Sequence, residues 1–433
     1  MPVLGRTQIT KNRDDSALRP RVLFLNRSYW PDAEATGQLL TELCEDGARQ
    51  FAITVIAGQP NQNPDQSSFR RIGIERRHGV EIRRVPNLRL PKASFVGRAA
   101  NMISYLFMAT AAALAVPKPA IVVVETDPPL LALLGSFLKH WHGCRLVVYL
   151  QDIYPDIAVS LGKLRDRAWV RWLRRLMFGV YRRADRVVVL SDDMLSLLTR
   201  SGVSPDRLVR IPNWIDTTCV VPQKQANRFR QRHGIDGQFV VMYSGNMGLA
   251  QPLDNVLAAA EQLRDDPDIA FYLVGDGVSR PRLEALARKR ELKNVHFLPY
   301  QPKSELASSL SAANVHLVLL DPRTSQQLMP SKLYGVLASG TPVLAAAPEG
   351  SELARITRQE RVGLVVPCDG AEALAGAIRW SATNREEVEA MGRRARALAV
   401  EQYDRAKVTN GFRQMLAELV ESARTSANGS AVD

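Results

Sequence analysis

The repeated alternation of short apolar runs with longer helix-like runs is the feature that most restricts the fold. The first apolar run, RVLFLNR at residues 21–27, is typical of a buried parallel strand. A helix-like run and a second apolar run, ITVIAG at residues 53–58, follow it in strand–helix–strand order. The same order starts again with FVVMYSG at residues 239–245. We therefore predict an α/β protein with two successive parallel-sheet domains.

The length of 433 residues also favours two domains, because a single core rarely grows that large. We predict a mobile polar extension over residues 1–20 and an N-terminal domain over residues 21–215. A C-terminal domain over residues 216–405 follows. The chain is predicted to end with a helix over residues 406–424 and a polar tail over residues 425–433.

Charge is unevenly distributed between the two halves. Residues 1–215 contain 31 Lys and Arg against 19 Asp and Glu, a net charge of +12, whereas residues 216–433 contain 26 against 25, or +1. The basic half favours an anionic membrane surface or an acidic substrate as its partner. We predict no nucleic-acid partner, because no zinc-ligand spacing or RNP-like motif is present. The four cysteines form no CxxC pair, which fits a reducing cytoplasm and indicates no metal site.

Two segments have the composition of membrane-contacting helices. Residues 99–117 are uncharged, but Ala, Asn, Ser and Thr make insertion weak, so we expect an ordinary or membrane-contacting helix rather than a span. Residues 165–183 repeat apolar side chains every three or four positions among many arginines. This second helix either buries its apolar stripe in the core or lies in a membrane interface. The stripe consists of Trp169, Trp172, Leu173, Leu176 and Val180. The membrane-contact candidates are Trp169, Trp172, Arg171, Arg174 and Arg175.

Residues 325–352 predict two helix N-termini on either side of one strand. Ser331 after Pro330 is a helix start, and Gly340 before Pro342 is a helix end. Lys332 lies in the first helical turn, where the helix dipole disfavours a cation. A phosphate ligand explains this position better than a solvated surface lysine does.

Polar residues at two positions of the N-terminal half are further candidates. Gln151 and Asp152 follow the apolar run RLVVYL, and ligands bind at the carboxyl ends of parallel strands. Thr36, Gly37 and Gln38 stand where the first helix begins. Gly37 permits either close approach of a ligand or a structural turn.

Several motifs occur in a fixed order along the chain: LNRSYWPDAEATGQ (25–38), QDIYPD (151–156), YSGNMG (243–248), VGDG (274–277), FLPYQP (297–302), PSKLYGVLASGTPVLA (330–345) and GLVVP (363–367). In this order they resemble the family-4 glycosyltransferases of the GT-B fold. Within that family they are similar to the branch that builds bacterial exopolysaccharide, colanic acid and O-antigen. The resemblance covers nearly all of the chain after residue 20.

This resemblance implies two Rossmann-like domains facing across a cleft, with the C-terminal helix returning to the N-terminal domain. It implies transfer of a sugar, with retention at the anomeric carbon, from a nucleotide-diphosphate donor to a lipid-linked saccharide. It also implies that neither a metal ion nor another cofactor is needed. The expected location is the cytoplasm, peripheral on the anionic cytoplasmic face of the inner membrane.

The resemblance also implies roles for individual residues. The expected catalytic residues are Lys332, Asp152, Glu349 and Glu352. The expected donor-binding residues are Gly37, Gly245, Asn246, Asp276, Tyr300, Gln327, Ser331, Lys332, Gly350, Ser351 and Glu352. From their positions at a helix start and at the end of a strand, rather than from the resemblance, we expect Thr36, Gln38, Gln151 and Asp152 to bind the acceptor.

The sequence departs from the family pattern at four positions. Gln327 and Gly335 stand where the family often has two glutamates eight residues apart. Asn246 and Gln251 stand where it commonly has a basic pair, which leaves more of the positive charge to Lys332. The changes at Gln327 and Gly335 keep open the alternative of a non-catalytic nucleotide-sugar-binding or scaffold protein. A nucleotide-sugar epimerase on the same two-domain fold is a further alternative.

Overall fold

Two largely parallel β-sheets covered by helices form the protein, which we describe from a computed structural model. The structure describes residues 19–32, 34–60, 72–88, 90, 95–248 and 251–429. The predicted extension lies outside the described residues except for its last two positions, and so does the tail from residue 430 onward.

The first sheet has eight strands in the order β3-β4-β2-β1-β5-β6-β7-β8. Its strands are β1 (Arg21–Leu25), β2 (Ala52–Ala57), β3 (Gly73–Arg77), β4 (Val80–Arg84), β5 (Ile121–Val124), β6 (Arg145–Tyr149), β7 (Arg186–Val189) and β8 (Leu208–Arg210). The edge strand β3 pairs antiparallel with β4, whereas β1 pairs parallel with β2 and β5. Leu23 lies opposite Thr54 on one side and Val122 on the other. These central strands are buried on both faces, which is why their sequences are continuous apolar runs.

The second sheet has six strands in the order β11-β10-β9-β12-β13-β14. They are β9 (Phe239–Ser244), β10 (Ile269–Val274), β11 (Val295–Leu298), β12 (Val315–Leu319), β13 (Val343–Ala346) and β14 (Gly363–Val366). All of its pairings are parallel. Because side chains alternate along a strand, Val241 and Tyr243 belong to one apolar cluster and Val240 and Met242 to the cluster on the opposite face.

Helices connect most of the successive strands. Their bounds are α1 (Ala35–Gly47), α2 (Phe95–Leu114), α3 (Leu131–His142), α4 (Asp156–Ser160), α5 (Ala168–Arg183), α6 (Asp192–Arg200), α7 (Arg228–Arg232), α8 (Leu253–Gln262), α9 (Arg280–Lys289), α10 (Leu306–Ser311), α11 (Lys332–Ala338), α12 (Glu352–Gln359), α13 (Ala371–Thr383), α14 (Arg385–Gln402) and α15 (Arg405–Gly429). The predicted α/β class with two Rossmann-like sheets is confirmed.

Contacts divide the chain into two compact units, which we describe separately. The first contains Met1–Val147 and Met415–Asp433, and the second contains Val148–Gln414. The division of the chain into residues 21–215 and 216–405 stays a prediction.

The orientation of α5 differs from one of the two predicted alternatives. Trp169, Trp172 and Leu176 are exposed, Trp172 to 60%, so the apolar stripe does not face the core. The buried side chains of α5 are Val170, Met177, Phe178, Val180 and Tyr181. The core-facing interpretation of the stripe was wrong at Trp169, Trp172 and Leu176, whereas Leu173 is half-buried and Val180 is buried. Helical spacing identifies residues that share a face but not the face that the protein covers.

Helix α2 occupies most of the uncharged segment at residues 99–117. Among the described residues, no helix combines the length and apolar character needed to cross a membrane.

Candidate functional site

The loops after β9 and β10 form a closely packed backbone frame in the second unit. Gly245 adopts φ +140° and its N–H donates to the Val274 carbonyl at 2.9 Å. Gly275 adopts φ +141°, and a Cβ on it would lie 2.0 Å from the Gly245 carbonyl oxygen. Gly277 is equally restricted, since its Cβ would lie 2.5 Å from the Met247 carbonyl oxygen. Glycine is required here because the two loops touch through their backbones.

The side chain of Lys332 ends beside this frame. Its Nζ is buried and has no hydrogen-bond or ion-pair partner among the described residues. The Nζ lies 3.8 Å from the centroid of the Tyr243 ring and would lie 3.3 Å from a Cβ on Gly245. Burial lowers the pKa of Lys332 to about 7. An unpartnered buried ammonium is costly, so this position favours an anionic ligand.

Two side chains near Lys332 were not among the predicted site residues. The Tyr243 hydroxyl donates to the Asn246 carbonyl at 2.7 Å, and this hydrogen bond fixes the ring against the Lys332 ammonium. His316 on β12 is fully buried, and neither ring nitrogen has a partner in the described part of the chain. Burial and the nearby Lys332 lower the pKa of His316 to about 3. A histidine inside the otherwise apolar strand VHLVL was the available sequence signal.

The segment before α11 brings Gln327 and Asp152 together. The Ile153 N–H donates to the Gln327 carbonyl at 3.0 Å, and Asp152 forms an antiparallel bridge with Leu328. The Gln327 side chain faces its own loop. In the orientation that satisfies its hydrogen bonds, the side-chain amide nitrogen donates to the carbonyls of Arg323 and Thr324 at 3.0 and 3.1 Å. Gln327, which was expected to contact the sugar, therefore uses its side-chain amide in hydrogen bonds within its own loop.

Asp152 and Gln151 have different surroundings although they are adjacent. Burial raises the pKa of Asp152 to about 6, with a smaller opposing effect from Lys163. No residue in the described ranges hydrogen bonds to the Asp152 carboxylate, which leaves it available to accept a proton. The Gln151 Oε1 accepts from Asn213 at 3.1 Å, while its buried Nε2 has no partner in the described structure.

The loop before α12 is held by reciprocal hydrogen bonds to α6, within the second unit. The Glu352 N–H donates to Asp193 Oδ2 at 2.7 Å, and the Asp192 N–H donates to Glu352 Oε2 at 2.9 Å. Glu352 is buried and also pairs with Arg355 and, at 3.5 Å, with Arg210. Its carboxylate is thus fully engaged by protein groups.

The neighbours of Glu352 in this loop differ from it in exposure. Ser351 caps α12 by accepting from the Ala354 N–H at 3.3 Å, as a helix-starting serine is expected to. Glu349 is exposed and pairs with Arg358 at 2.9 Å. Gly350 has open space where a Cβ would stand.

The remaining donor candidates lie around the same frame. Asp276 is exposed, and its Oδ1 accepts a hydrogen bond from the Gly277 N–H at 2.7 Å. The Tyr300 hydroxyl lies 3.5 Å from the Asp276 carbonyl oxygen. Asn246 is exposed. Ser331 stands at the N-cap position of α11 but makes no side-chain cap hydrogen bond. Gly340 ends that helix with φ +66°, as predicted for it.

Thr36, Gly37 and Gln38 lie in the first turn of α1, in the first unit. A Cβ on Gly37 would lie 2.8 Å from Ser28 Oγ and 3.3 Å from the Tyr29 nitrogen. The Gly37 carbonyl accepts from Thr41 Oγ1 at 2.7 Å. Close packing against the loop after β1 is a sufficient reason for this glycine. Like the roles of the other site residues, its contact with a donor stays a prediction.

Comparison with known proteins identifies the class. Solved glycosyltransferases share this arrangement of two parallel sheets, which defines the GT-B fold. The structure of HepE from Anabaena in complex with UDP-glucose superimposes with a TM-score of 0.70 at 16% identity, covering 92% of this chain and 100% of that chain. At that identity the likeness concerns the fold alone.

Residues 33–214 match the family described as "Glycosyl transferase 4-like domain" and residues 225–398 the one described as "Glycosyl transferases group 1". These two regions of the chain belong to the two glycosyl transferase families, which confirms the resemblance stated from the motifs.

Two curated relatives are each 30% identical to this chain. The probable glycosyltransferase WbjE of Pseudomonas aeruginosa matches over 257 residues, 59% of this chain and 64% of that protein. The putative colanic acid biosynthesis glycosyl transferase WcaI of Escherichia coli K12 matches over 245 residues, 55% of this chain and 60% of that protein. The matched region thus spans less than two thirds of either relative.

Proposed function

We propose that the protein transfers a sugar from a nucleotide-diphosphate donor to a lipid-linked saccharide in bacterial surface polysaccharide biosynthesis. The observation that carries this proposal is the buried ammonium of Lys332 beside Gly245, which has no partner among the described residues. The names of the relatives WbjE and WcaI and the UDP-glucose bound to HepE support the same activity.

The chemistry follows from charge. As the glycosyl bond breaks, the departing diphosphate gains negative charge, and a fixed cation beside it lowers the barrier. Lys332 supplies that cation, and the Tyr243 ring beneath its ammonium holds it in position. The reaction proceeds with retention at the anomeric carbon, and the positive charge comes from the protein rather than from a metal ion.

Asp152 would accept the proton of the attacking hydroxyl. Its backbone forms the antiparallel bridge with Leu328, four residues before Lys332. A base with a pKa of about 6 is mostly ionised at neutral pH and still basic enough to assist proton removal. Gln327 would then hold the segment before α11 in place. Ser351 and Glu352 would do the same for the loop before α12.

The lipid-linked acceptor requires contact with a membrane, and α5 supplies a suitable surface. Trp169 and Trp172 are exposed on it together with Arg171, Arg174 and Arg175. Aromatic rings beside cations are typical of a helix that lies in an anionic lipid interface. The protein would therefore act peripherally on the cytoplasmic face of the inner membrane.

A thermal-shift screen of nucleotide sugars tests the donor site, because a ligand that binds only the folded protein raises its melting temperature. We expect at least one donor to stabilise the wild-type protein and to lose that effect in Lys332→Ala. A wild-type protein that transfers no sugar to any lipid-linked acceptor, yet binds a donor, would support a scaffold role instead. Gln327 favours that second candidate, since its amide hydrogen bonds within its own loop.

A further inference from the structure

The outer face of α2 and α3, in the first unit, exposes large apolar side chains. On α2 these are Val96, Ile103 and Phe107, and Phe107 is 73% exposed. They are spaced seven and four residues apart and therefore share one face of the helix. On α3 they are Phe137 and Trp141, which stack with ring centroids 6.1 Å apart, and Trp141 is 61% exposed.

The opposite face of α2 is firmly attached to the sheet. Tyr105 is fully buried and its hydroxyl donates to the Ile56 carbonyl on β2 at 2.8 Å. Ala109 and Ala113 continue this buried face at intervals of four residues. The exposed face is thus a defined side of an anchored helix, not the surface of a loosely held one.

Further contacts join neighbouring elements to this face. His142, next to Trp141, contacts the Ala113 carbonyl through Nε2 at 3.2 Å, which joins the ends of α3 and α2. Asn101 on α2 is buried and binds both the N–H and the carbonyl of Leu90, at 2.8 and 2.9 Å. Leu90, itself exposed, is thereby held against α2. The exposed apolar side chains therefore come from two adjoining helices and from Leu90, which is more than the scattered exposure that needs no explanation.

The segments that carry α2 and α3 contain charges of one sign. No Asp or Glu stands between Glu81 and Glu125 or between Asp127 and Asp152. Arg98 and Lys118 are exposed on these segments, and Lys139 lies in the last turn of α3. Apolar and aromatic side chains on segments that carry cations and no carboxylates complement a bilayer that contains anionic lipid.

We propose that the α2–α3 face inserts into the surface of an anionic bilayer, with Phe107 and Trp141 entering the acyl-chain boundary. The inference rests on the membrane partner proposed above and adds a second surface to α5. Partitioning would be driven by burial of the aromatic rings and increased by the cations on these segments, so it would weaken in high salt.

The test is co-sedimentation of the full chain with vesicles of phosphatidylcholine mixed with phosphatidylglycerol, compared with phosphatidylcholine alone. The variant is Phe107→Ser with Trp141→Ser, and the matched control is Trp380→Ser with Val400→Ser, two exposed apolar residues of the second unit. We expect the α2–α3 variant to lose on the order of tenfold or more in partitioning. The control should bind as the wild type does.

Two further measurements locate the contact. Brominated acyl chains should quench the fluorescence of the wild-type protein more than that of Trp141→Phe. Sedimentation velocity without lipid should show the same oligomeric state for the wild type and the α2–α3 variant. A wild-type dimer that dissociates in the variant would show that a second copy covers the face and would overturn the proposal.

Failure of this proposal is distinguishable from failure of the proposed function. Unchanged vesicle binding by the α2–α3 variant overturns the inserting face whatever happens to sugar transfer. The variant Trp169→Ser with Trp172→Ser tests α5 separately. Donor stabilisation in the thermal-shift assay, which needs no membrane, should be the same in all three double variants and the wild type.

Discussion

The Nζ of Lys332 lies 3.8 Å from the centroid of the Tyr243 ring and has no anionic partner among the described residues. The ring attracts the ammonium, but it leaves the three N–H donors without acceptors. The protein thus holds a charge in a position that is costly without a ligand. A bound diphosphate would satisfy those donors, which explains why the charge lies beside a glycine backbone that an anion can approach.

Replacing Lys332 by alanine should slow sugar transfer on the order of 10²–10³-fold, because the cation stabilises charge that develops on the leaving group. Steady-state transfer to a lipid-linked acceptor measures the effect. Lys332→Arg keeps the charge and should lose less. Transfer by the alanine variant at near wild-type rate would remove Lys332 from the mechanism.

Replacing Lys332 by methionine should stabilise the ligand-free protein. Burial places the folded-state pKa at about 7, below the ordinary lysine value of 10.5, so the folded protein binds fewer protons between these two pH values. Stability contributed by this site therefore rises with pH from about 7 to about 10.5 and is lowest below pH 7. Urea unfolding at several pH values should show the largest gain for Lys332→Met in acid and little gain in alkali. An equal gain at all pH values would contradict the burial of a charged group.

The pH dependence of kcat/KM should be bell-shaped. Asp152, whose pKa burial raises to about 6, accepts a proton only when ionised, so the rate should rise with pH up to about 6. Lys332 loses its proton above about pH 7 in the ligand-free protein, so the rate should fall beyond that value. Asp152→Asn should lower the rate and abolish the acidic limb, and Lys332→Arg should abolish the alkaline one. An acidic limb that survives in Asp152→Asn belongs to another group.

Gly275→Ala should destabilise the second unit and abolish donor binding. The added Cβ would lie 2.0 Å from the Gly245 carbonyl oxygen, and the backbone has φ +141°. We expect a loss of about 3 kcal/mol or more in unfolding free energy, since the two loops must separate. Gly376→Ala is the matched control, because open space surrounds that helical glycine, and it should gain about 0.5–1 kcal/mol. Denaturant titration compares the two.

Glu352→Leu should cost about 1–3 kcal/mol, because it removes the acceptor of the half-buried Asp192 N–H and a buried carboxylate that pairs with Arg355. Glu349→Leu removes an exposed ion pair with Arg358 and should change stability by less than about 1 kcal/mol. Equilibrium unfolding of the two variants distinguishes a glutamate that joins α12 to α6 from one that faces solvent. Equal effects would contradict the arrangement described for Glu352.

Much of the fold could be predicted from local pattern. The run RVLFLNR became β1, FVVMYSG became β9, and Gly340 ends α11, because buried parallel strands and helix ends depend on residues within one element. The site was predictable only as a set of residues. Lys332 and Gly245 could be named, but the sequence contained no information on the distance between them.

Apolar periodicity alone did not determine which face of α5 is buried. Trp169 and Trp172 were correctly placed on one helical stripe, yet the structure exposes that stripe and buries Met177 and Phe178 instead. Both stripes are apolar, so packing against the rest of the protein made the choice.

The sequence by itself determined the order of strands and helices, the positions of the glycines and the presence of a lysine at the start of α11. Only the tertiary structure decided that this lysine is buried with no anion beside it in the described part of the chain. It also decided that His316 lies near Lys332 and that Glu352 is engaged by Asp192 and Asp193. The physical reason is that burial and ion pairing depend on groups far apart in the chain. Lys332 and Tyr243 are 89 positions apart, and Glu352 and Asp193 are 159 positions apart, so no local pattern encodes either contact.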